Sequence, residues 1–167
     1  MQCPAWQQLN NNNVVGGEDF SLLIFMREDM DNYRIVETLT ESQVSDLMDL
    51  YKNEFWSDKR TREDVVKMLA ATDVIIGFVD ESDRLIAFTR VITDFVYRAM
   101  IFDVIIKPTH RKMGLGAKLM DTVLNHPELQ AVENVALNCL PNMMPFYERW
   151  GFTDNVGEMK FMRRTTG

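Results

Sequence analysis

Apolar residues recur along this chain with two different periods, and the switches between them mark its elements. Residues 20–26 are apolar and bounded by charge, and residues 33–38 follow a polar turn, so the two segments predict a β-hairpin. At Thr40, with Gln43 three residues on, a capping-box pattern opens a stretch in which Val44, Leu47, Met48, Tyr51 and Phe55 recur at helical spacing, which predicts an amphipathic helix. A second helix is expected from about Thr61, with Asp64 in its first turn and Val65, Val66, Met68 and Leu69 on its inner side. The pattern then turns to strands over 73–79, 85–93 and 99–106, an antiparallel meander joined by polar turns. Pro108 ends the third strand. Beyond Gly114, the residues Leu115, Leu119, Met120 and Val123 mark a helix that stops at Asn125, His126 and Pro127. Residues 132–140 read as a strand, 142–150 as a short helix closed by Gly151, and 159–163 as a last strand.

This order describes one α/β domain over residues 18–167, with a central mixed, mostly antiparallel sheet of six to seven strands and helices on both faces. The strands before and after the Gly114 helix should be parallel, since a helical crossover is how parallel neighbours are joined. A length of 167 residues suits one such core better than two. Ahead of it, residues 1–17 contain an asparagine run at 10–13 and no charged segment leading into an apolar one, so they read as a disordered leader and not as a signal peptide.

With 46% hydrophobic and 26% charged residues, the chain has the apolar matter for that core, which excludes a wholly disordered or collagen-like protein. No apolar run approaches the roughly 20 residues of a membrane span. The net charge of -7 repels a phosphate backbone, which sets nucleic acid aside as a main partner. Cys3 and Cys139 are too few for a disulfide framework, and with only His110 and His126 no metal site is expected. A reducing, cytoplasmic location is the expectation that follows.

The densest chemistry lies in residues 103–120, where a strand runs through a turn into a helix whose first turn holds Gly114 and Gly116. Such a turn exposes unpaired backbone N–H groups at the positive end of a helix, and glycines let a ligand approach the main chain. Arg111, Lys112 and Lys118 place positive charge beside it, against the sign of the whole chain. A P-loop is excluded because Gly116 is followed by Ala117 and Lys118 where Lys and Ser or Thr are required. A dinucleotide fingerprint fits poorly, since Leu119 stands where its third small residue belongs. The plain alternative is that both glycines serve a tight turn and a close helix contact.

The spacing Arg111-x-x-Gly114-x-Gly116, followed about thirty residues later by Phe146-Tyr147-Glu148-Arg149-Trp150-Gly151-Phe152, resembles the GNAT superfamily of acyl-CoA-dependent N-acetyltransferases. The predicted elements from about Tyr33 to Arg164 follow the family's order as well. The resemblance implies acetyl-CoA as cosubstrate and direct transfer of acetyl to a primary amine, in a small molecule or a peptide, with no covalent enzyme intermediate. It implies that Val104, Ile105 and Ile106 offer main-chain groups to the pantetheine arm. Arg111, Lys112, Met113, Gly114, Leu115 and Gly116 would bind the pyrophosphate through their N–H groups. Tyr147 matches the general acid that protonates the departing thiolate, although an aromatic in this run could equally be core packing.

Two departures from the family pattern stand out. Leu140 occupies the position seven before Tyr147 where many relatives have Asn, with Asn142 displaced by two as a substitute contact or a helix N-cap. Lys112 replaces a common Gly. A receiver for the amine proton is also needed. Asp103, on the strand beside the expected thioester, is the first candidate for base or amine binding, against the alternative of a polar residue on a half-exposed strand; Asp94 is a weaker one. Trp56, Tyr51 and Arg90 are candidates to shape the acceptor pocket. Cys139 as an acyl carrier is set against simple packing. Two other protein classes compete with the enzyme: a non-catalytic acyl-CoA sensor or scaffold, and a structural protein whose edge strand at 20–26 pairs with a partner such as a second copy of the chain.

Overall fold

A computed structural model describes residues 32–165 of the chain. The leader expected at 1–17 and the hairpin arm at 20–26 lie outside the described residues. The first strand, β1 (Arg34–Val36), is short, and α1 (Glu41–Lys52) begins four residues after it ends. The Thr40 hydroxyl accepts from the Gln43 N–H at 3.3 Å and the Gln43 side chain accepts from the Thr40 N–H at 3.0 Å, so the predicted capping box is formed. This helix stops at Asn53, which leaves Phe55 beyond its end and exposed rather than on its inner face. Thr61 caps α2 (Arg62–Ala70) by accepting from the Asp64 N–H. Only Val65 of its apolar residues is fully buried; Val66 faces solvent, against expectation, because the sheet touches too narrow a stripe of a nine-residue helix to cover four neighbours.

The meander follows as β2 (Val74–Val79), β3 (Leu85–Thr93) and β4 (Arg98–Ile106); then come α3 (Leu115–Leu124), β5 (Asn134–Leu137) and α4 (Met144–Tyr147), the last flanked by 3-10 turns. The strands lie in the order β1-β2-β3-β4-β5, antiparallel except for the parallel pair β4–β5 that the α3 crossover requires. The sheet thus has five strands among the described residues, where six to seven were expected. Residues 159–163, expected as a last strand, have no ladder partner among the described residues, and Met159, Phe161 and Met162 are exposed. An apolar segment does not make a strand when no neighbour takes its hydrogen bonds. No described helix is long and apolar enough to cross a membrane.

Helices cover both faces. Leu115, Leu119, Met120 and Val123 of α3 pack on Val74, Ile76, Phe78, Val91, Ala99 and Ile101. On the other face Val44, Leu47, Leu50 and Tyr51 of α1 and Val65 of α2 pack on Val79, Leu85, Phe88 and Ile105. Fully buried aliphatic side chains of this kind each stabilise the fold by about 1.5–3 kcal/mol relative to exposure.

Ala99 and Ile101 point to one face and Ile105 to the other, which a regular strand forbids for odd-numbered neighbours. A bulge accounts for it: Arg90 pairs with Phe102 and Phe88 with Ile105, so Asp103 and Val104 together oppose Thr89. Asp103 takes up the extra residue in the left-handed region, at φ 57°. The bulge turns its carboxylate toward α1.

Candidate active site

Pairing of β4 with β5 ends at Ile101 and Leu137, although β4 runs on for five residues. The two strands therefore part, and a cleft of about 950 Å³ opens between them. Its walls are the free length of β4, the start of α3, residues 137–143 and α4, and the loop between α1 and α2.

At the α3 end, Lys112 (φ 64°) and Gly114 (φ 82°) both adopt left-handed backbone and wrap the chain into the helix start. The N–H groups of Met113, Gly114, Leu115 and Gly116 donate to no described residue, while Ala117 and Lys118 already bond to the Gly114 carbonyl. Four free donors at the positive end of a ten-residue helix form an anion cradle. Gly114 is needed for its backbone angle; a Cβ built there meets nothing within 4 Å, so any side chain at this position would stand in the open mouth. A Cβ on Gly116 would touch the Phe146 ring at 3.4 Å, an ordinary contact. The Arg111 N–H, also expected to bind the pyrophosphate, donates to the Pro108 carbonyl at 3.4 Å, and its side chain is not aimed at the cradle. Its Nε donates to the Ile106 carbonyl at 2.9 Å and its guanidinium pairs with Glu54 on the α1–α2 loop. One of the Ile106 lone pairs expected for a ligand is thereby occupied.

Tyr147 ends α4 and is 8% exposed, its ring held edge-on by Phe146 at 5.0 Å and Phe152 at 6.2 Å. Its hydroxyl bonds to no described residue, and the residue lines the cleft. Burial, with a smaller contribution from Cys139, pushes its ionisation up to about 12, so it stays a proton donor at neutral pH. Leu140 and Asn142 line the same wall and are exposed. Asn142 is not an N-cap: Met143 holds that place for α4, and no side chain caps it. Cys139 is exposed past the end of β5 rather than packed in a strand, and partial burial raises its thiol, which disfavours the thiolate that acyl transfer needs.

Asp103 is the hub of the opposite wall. Its Oδ2 accepts from Tyr51 Oη at 2.8 Å, Arg60 Nη1 at 2.9 Å and Arg90 Nε at 2.7 Å, and its Oδ1 accepts from Arg60 Nη2 at 3.1 Å. Burial by itself would raise the carboxyl, but the bonds and charges of Arg60 and Arg90 outweigh that and hold it below the usual carboxylate range. Burial and the Asp103 charge raise Tyr51 in turn. Of the three residues expected to shape the acceptor pocket, only Trp56 lines the cleft; Tyr51 and Arg90 stand behind Asp103 and hold it. Asp94 is spent on its own turn, accepting from the N–H groups of Val96, Tyr97 and Arg98.

Glu54, Phe55 and Arg60 belong to the cleft and were not foreseen. Arg60 lies over the Tyr51 ring at 4.3 Å and near the Trp56 ring at 5.3 Å, besides its two bonds to Asp103. The cluster Phe55, Trp56 and Arg60 just ahead of the Thr61 cap was the only local signal, and it does not name a partner 43 positions away. Among the described residues, no three His, Cys, Asp or Glu side chains gather as metal ligands would.

The strand fork, the helix amides at its end and the Tyr147 phenol thus meet in one cleft of an α/β fold. The sequence model of the acetyltransferase (GNAT) family matches residues 36–152, and the chain belongs to that family. It is 30% identical over 110 residues to GCN5-related N-acetyltransferase 1, chloroplastic, of Arabidopsis thaliana, a match that covers 62% of this chain and 56% of that one. It is 25% identical over 168 residues to the uncharacterized N-acetyltransferase ycf52 of Porphyra purpurea, covering 94% and 95% of the two chains. Among solved structures, a GNAT-family protein from Xanthomonas campestris superposes with a TM-score of 0.68 at 26% identity, over 80% of this chain and 94% of the other.

Proposed function

We propose that this acetyltransferase takes acetyl-CoA into the fork between β4 and β5 and passes the acetyl group directly to a primary amine. The observation that carries the reading is the early end of the β4–β5 ladder: it leaves the β4 edge from Phe102 onward free to bond an extended arm, and it leads straight to the four free N–H groups at the start of α3. The donor set suits a diphosphate, since main-chain amides bind anionic oxygens without side-chain charge and the helix dipole adds to them. Main-chain groups of Val104, Ile105 and Ile106 would hold the pantetheine, with Ile106 sharing its carbonyl with Arg111. Lys112 and Asn142 are further contacts in this reading.

Bound acetyl-CoA supplies an activated acyl carbon. As the amine nitrogen bonds to that carbon and the carbon–sulfur bond breaks, the Tyr147 hydroxyl gives its proton to the departing sulfur. A neutral, largely buried donor whose hydroxyl is bonded to no described residue suits that task. The amine proton passes to solvent water in the open cleft. Asp103, the sequence candidate for base, holds the wall in this reading: it accepts three hydrogen bonds at Oδ2 and one at Oδ1 from Tyr51, Arg60 and Arg90, and its depressed ionisation makes it a poor base. The free thiol of Cys139 fits a reducing compartment, the cytoplasm and a plastid alike.

Titration calorimetry with acetyl-CoA, followed by thiol release across a panel of amines, tests the proposal. Binding with turnover supports it. Binding without turnover on any amine would make the chain an acyl-CoA sensor, and absence of binding would overturn both readings.

A further inference from the structure

Two carboxylates face the cleft among the described residues, Glu54 and Asp103, and both are already paired, with Arg111 and with Arg60 and Arg90. The cationic groups of the lining, in contrast, are Arg60, Arg111, Lys112, Arg149 and Arg163. In a chain of net charge -7 this lining has the opposite sign to the whole. Glu54 offsets Arg111, and a polyanionic cosubstrate accounts for Lys112 beside the α3 cradle. It does not account for Arg60, which sits on the α1–α2 loop against the β4 bulge.

Around Arg60 the charges sum to +1: Arg60 and Arg90 carry two, Asp103 removes one, and Tyr51 is neutral. Trp56 and Met68, which also touch the Arg60 side chain, are uncharged. The Arg60 side chain keeps 27% of its surface exposed while that of Asp103 keeps 3%, so of the pair the arginine is the more accessible to an incoming acceptor.

Resting on the acetyltransferase reading, we propose that Arg60 is a specificity-determining residue: it excludes polyamines and other dications, and the acceptor is a primary amine with no second cationic group. The same charge raises the energy of an ammonium ion in the cleft and so favours the neutral, nucleophilic amine there. The site gains nucleophile without a carboxylate base, and a substrate with a second fixed cation meets repulsion with no carboxylate free to offset it.

Matched amines test this with acetyl-CoA and thiol release at pH 8: pentylamine against 1,5-diaminopentane, and benzylamine against 1,4-bis(aminomethyl)benzene. The diamine of each pair, corrected for its two equivalent ends, is expected to show kcat/KM lower by about tenfold or more. Arg60→Gln should bring the two within about threefold and move the rising limb of kcat to higher pH, because the bound amine is no longer pushed toward neutrality. Arg60→Lys keeps the charge and should keep the discrimination. Equal or better use of the diamines by the native enzyme overturns the proposal, as does discrimination that survives Arg60→Gln. If Arg60→Gln does not fold, loss of discrimination in Arg60→Lys overturns it. Thiol release with none of the four amines, nor with any in the wider panel, instead overturns the acetyltransferase reading beneath it.

Discussion

Arg60 donates two hydrogen bonds, 2.9 and 3.1 Å long, to the two carboxylate oxygens of Asp103 across 43 positions of sequence. This pair fastens the loop after α1 to the bulge in β4. It also decides which way the bulge faces, since Asp103 occupies the one residue of β4 that the β3 register leaves over. Charge, loop and strand irregularity are one arrangement here.

Removing the carboxylate should be costly. Asp103→Ala leaves two arginines without their shared partner in a buried setting and is expected to destabilise the protein by about 3 kcal/mol or more, read from urea midpoints. Asp103→Asn allows the pH dependence to be checked. The folded ionisation of Asp103 lies below the unfolded one, so its contribution is present above the unfolded value of ~3.9 and is lost as pH falls through the folded one. The native protein should therefore lose stability more steeply on acidification than Asp103→Asn; parallel acid limbs would show that the carboxylate is not held down.

Tyr147→Phe keeps the ring packing against Phe146 and Phe152 and removes only the hydroxyl. Turnover should fall by roughly 10²-fold, with the dissociation constant for acetyl-CoA little changed. Because Tyr147 ionises only at about 12, the native enzyme should show no fall in kcat from this group below about pH 10. Turnover equal to native in the variant would give the proton to water.

Gly114 separates backbone from side-chain effects. Gly114→Ala should cost about 1–2 kcal/mol of stability, from the left-handed angle that an L-residue adopts at a penalty. Gly114→Val should in addition raise the acetyl-CoA dissociation constant about tenfold or more, about 1.4 kcal/mol of binding, because its branches stand in the open mouth. Calorimetry on both variants checks it; equal affinities in the two would refute the cradle.

The cap of α1 offers a stability test away from the cleft. Thr40→Ala should lower stability by about 1 kcal/mol. Gln43→Ala should cost more. Gln43 is 1% exposed and, besides closing the capping box, its amide donates to Asp83 at 3.1 Å in the β2–β3 turn. Thermal melts of both variants would rank them; the reverse order would mean that the long-range bond contributes nothing.

Period, caps and breakers are interactions between residues a few positions apart, and the amino-acid order alone determined them. Thr40 and Thr61 start their helices, Leu85–Thr93 spans the predicted strand, and Arg111, Gly114, Gly116 and Tyr147 stood out in the sequence and all line or brace the cleft. What depends on a distant partner was decided only in three dimensions. The apolar segment at 159–163 finds no neighbouring strand among the described residues. The bulge at Asp103 exists only against the β3 register. The pairs Arg60–Asp103 and Arg111–Glu54 join residues 43 and 57 positions apart, and they engage the candidate base with arginine and tie the Arg111 side chain to the α1–α2 loop. A carboxylate's chemistry depends on the charges within a few ångströms, and folding, not sequence separation, sets those distances.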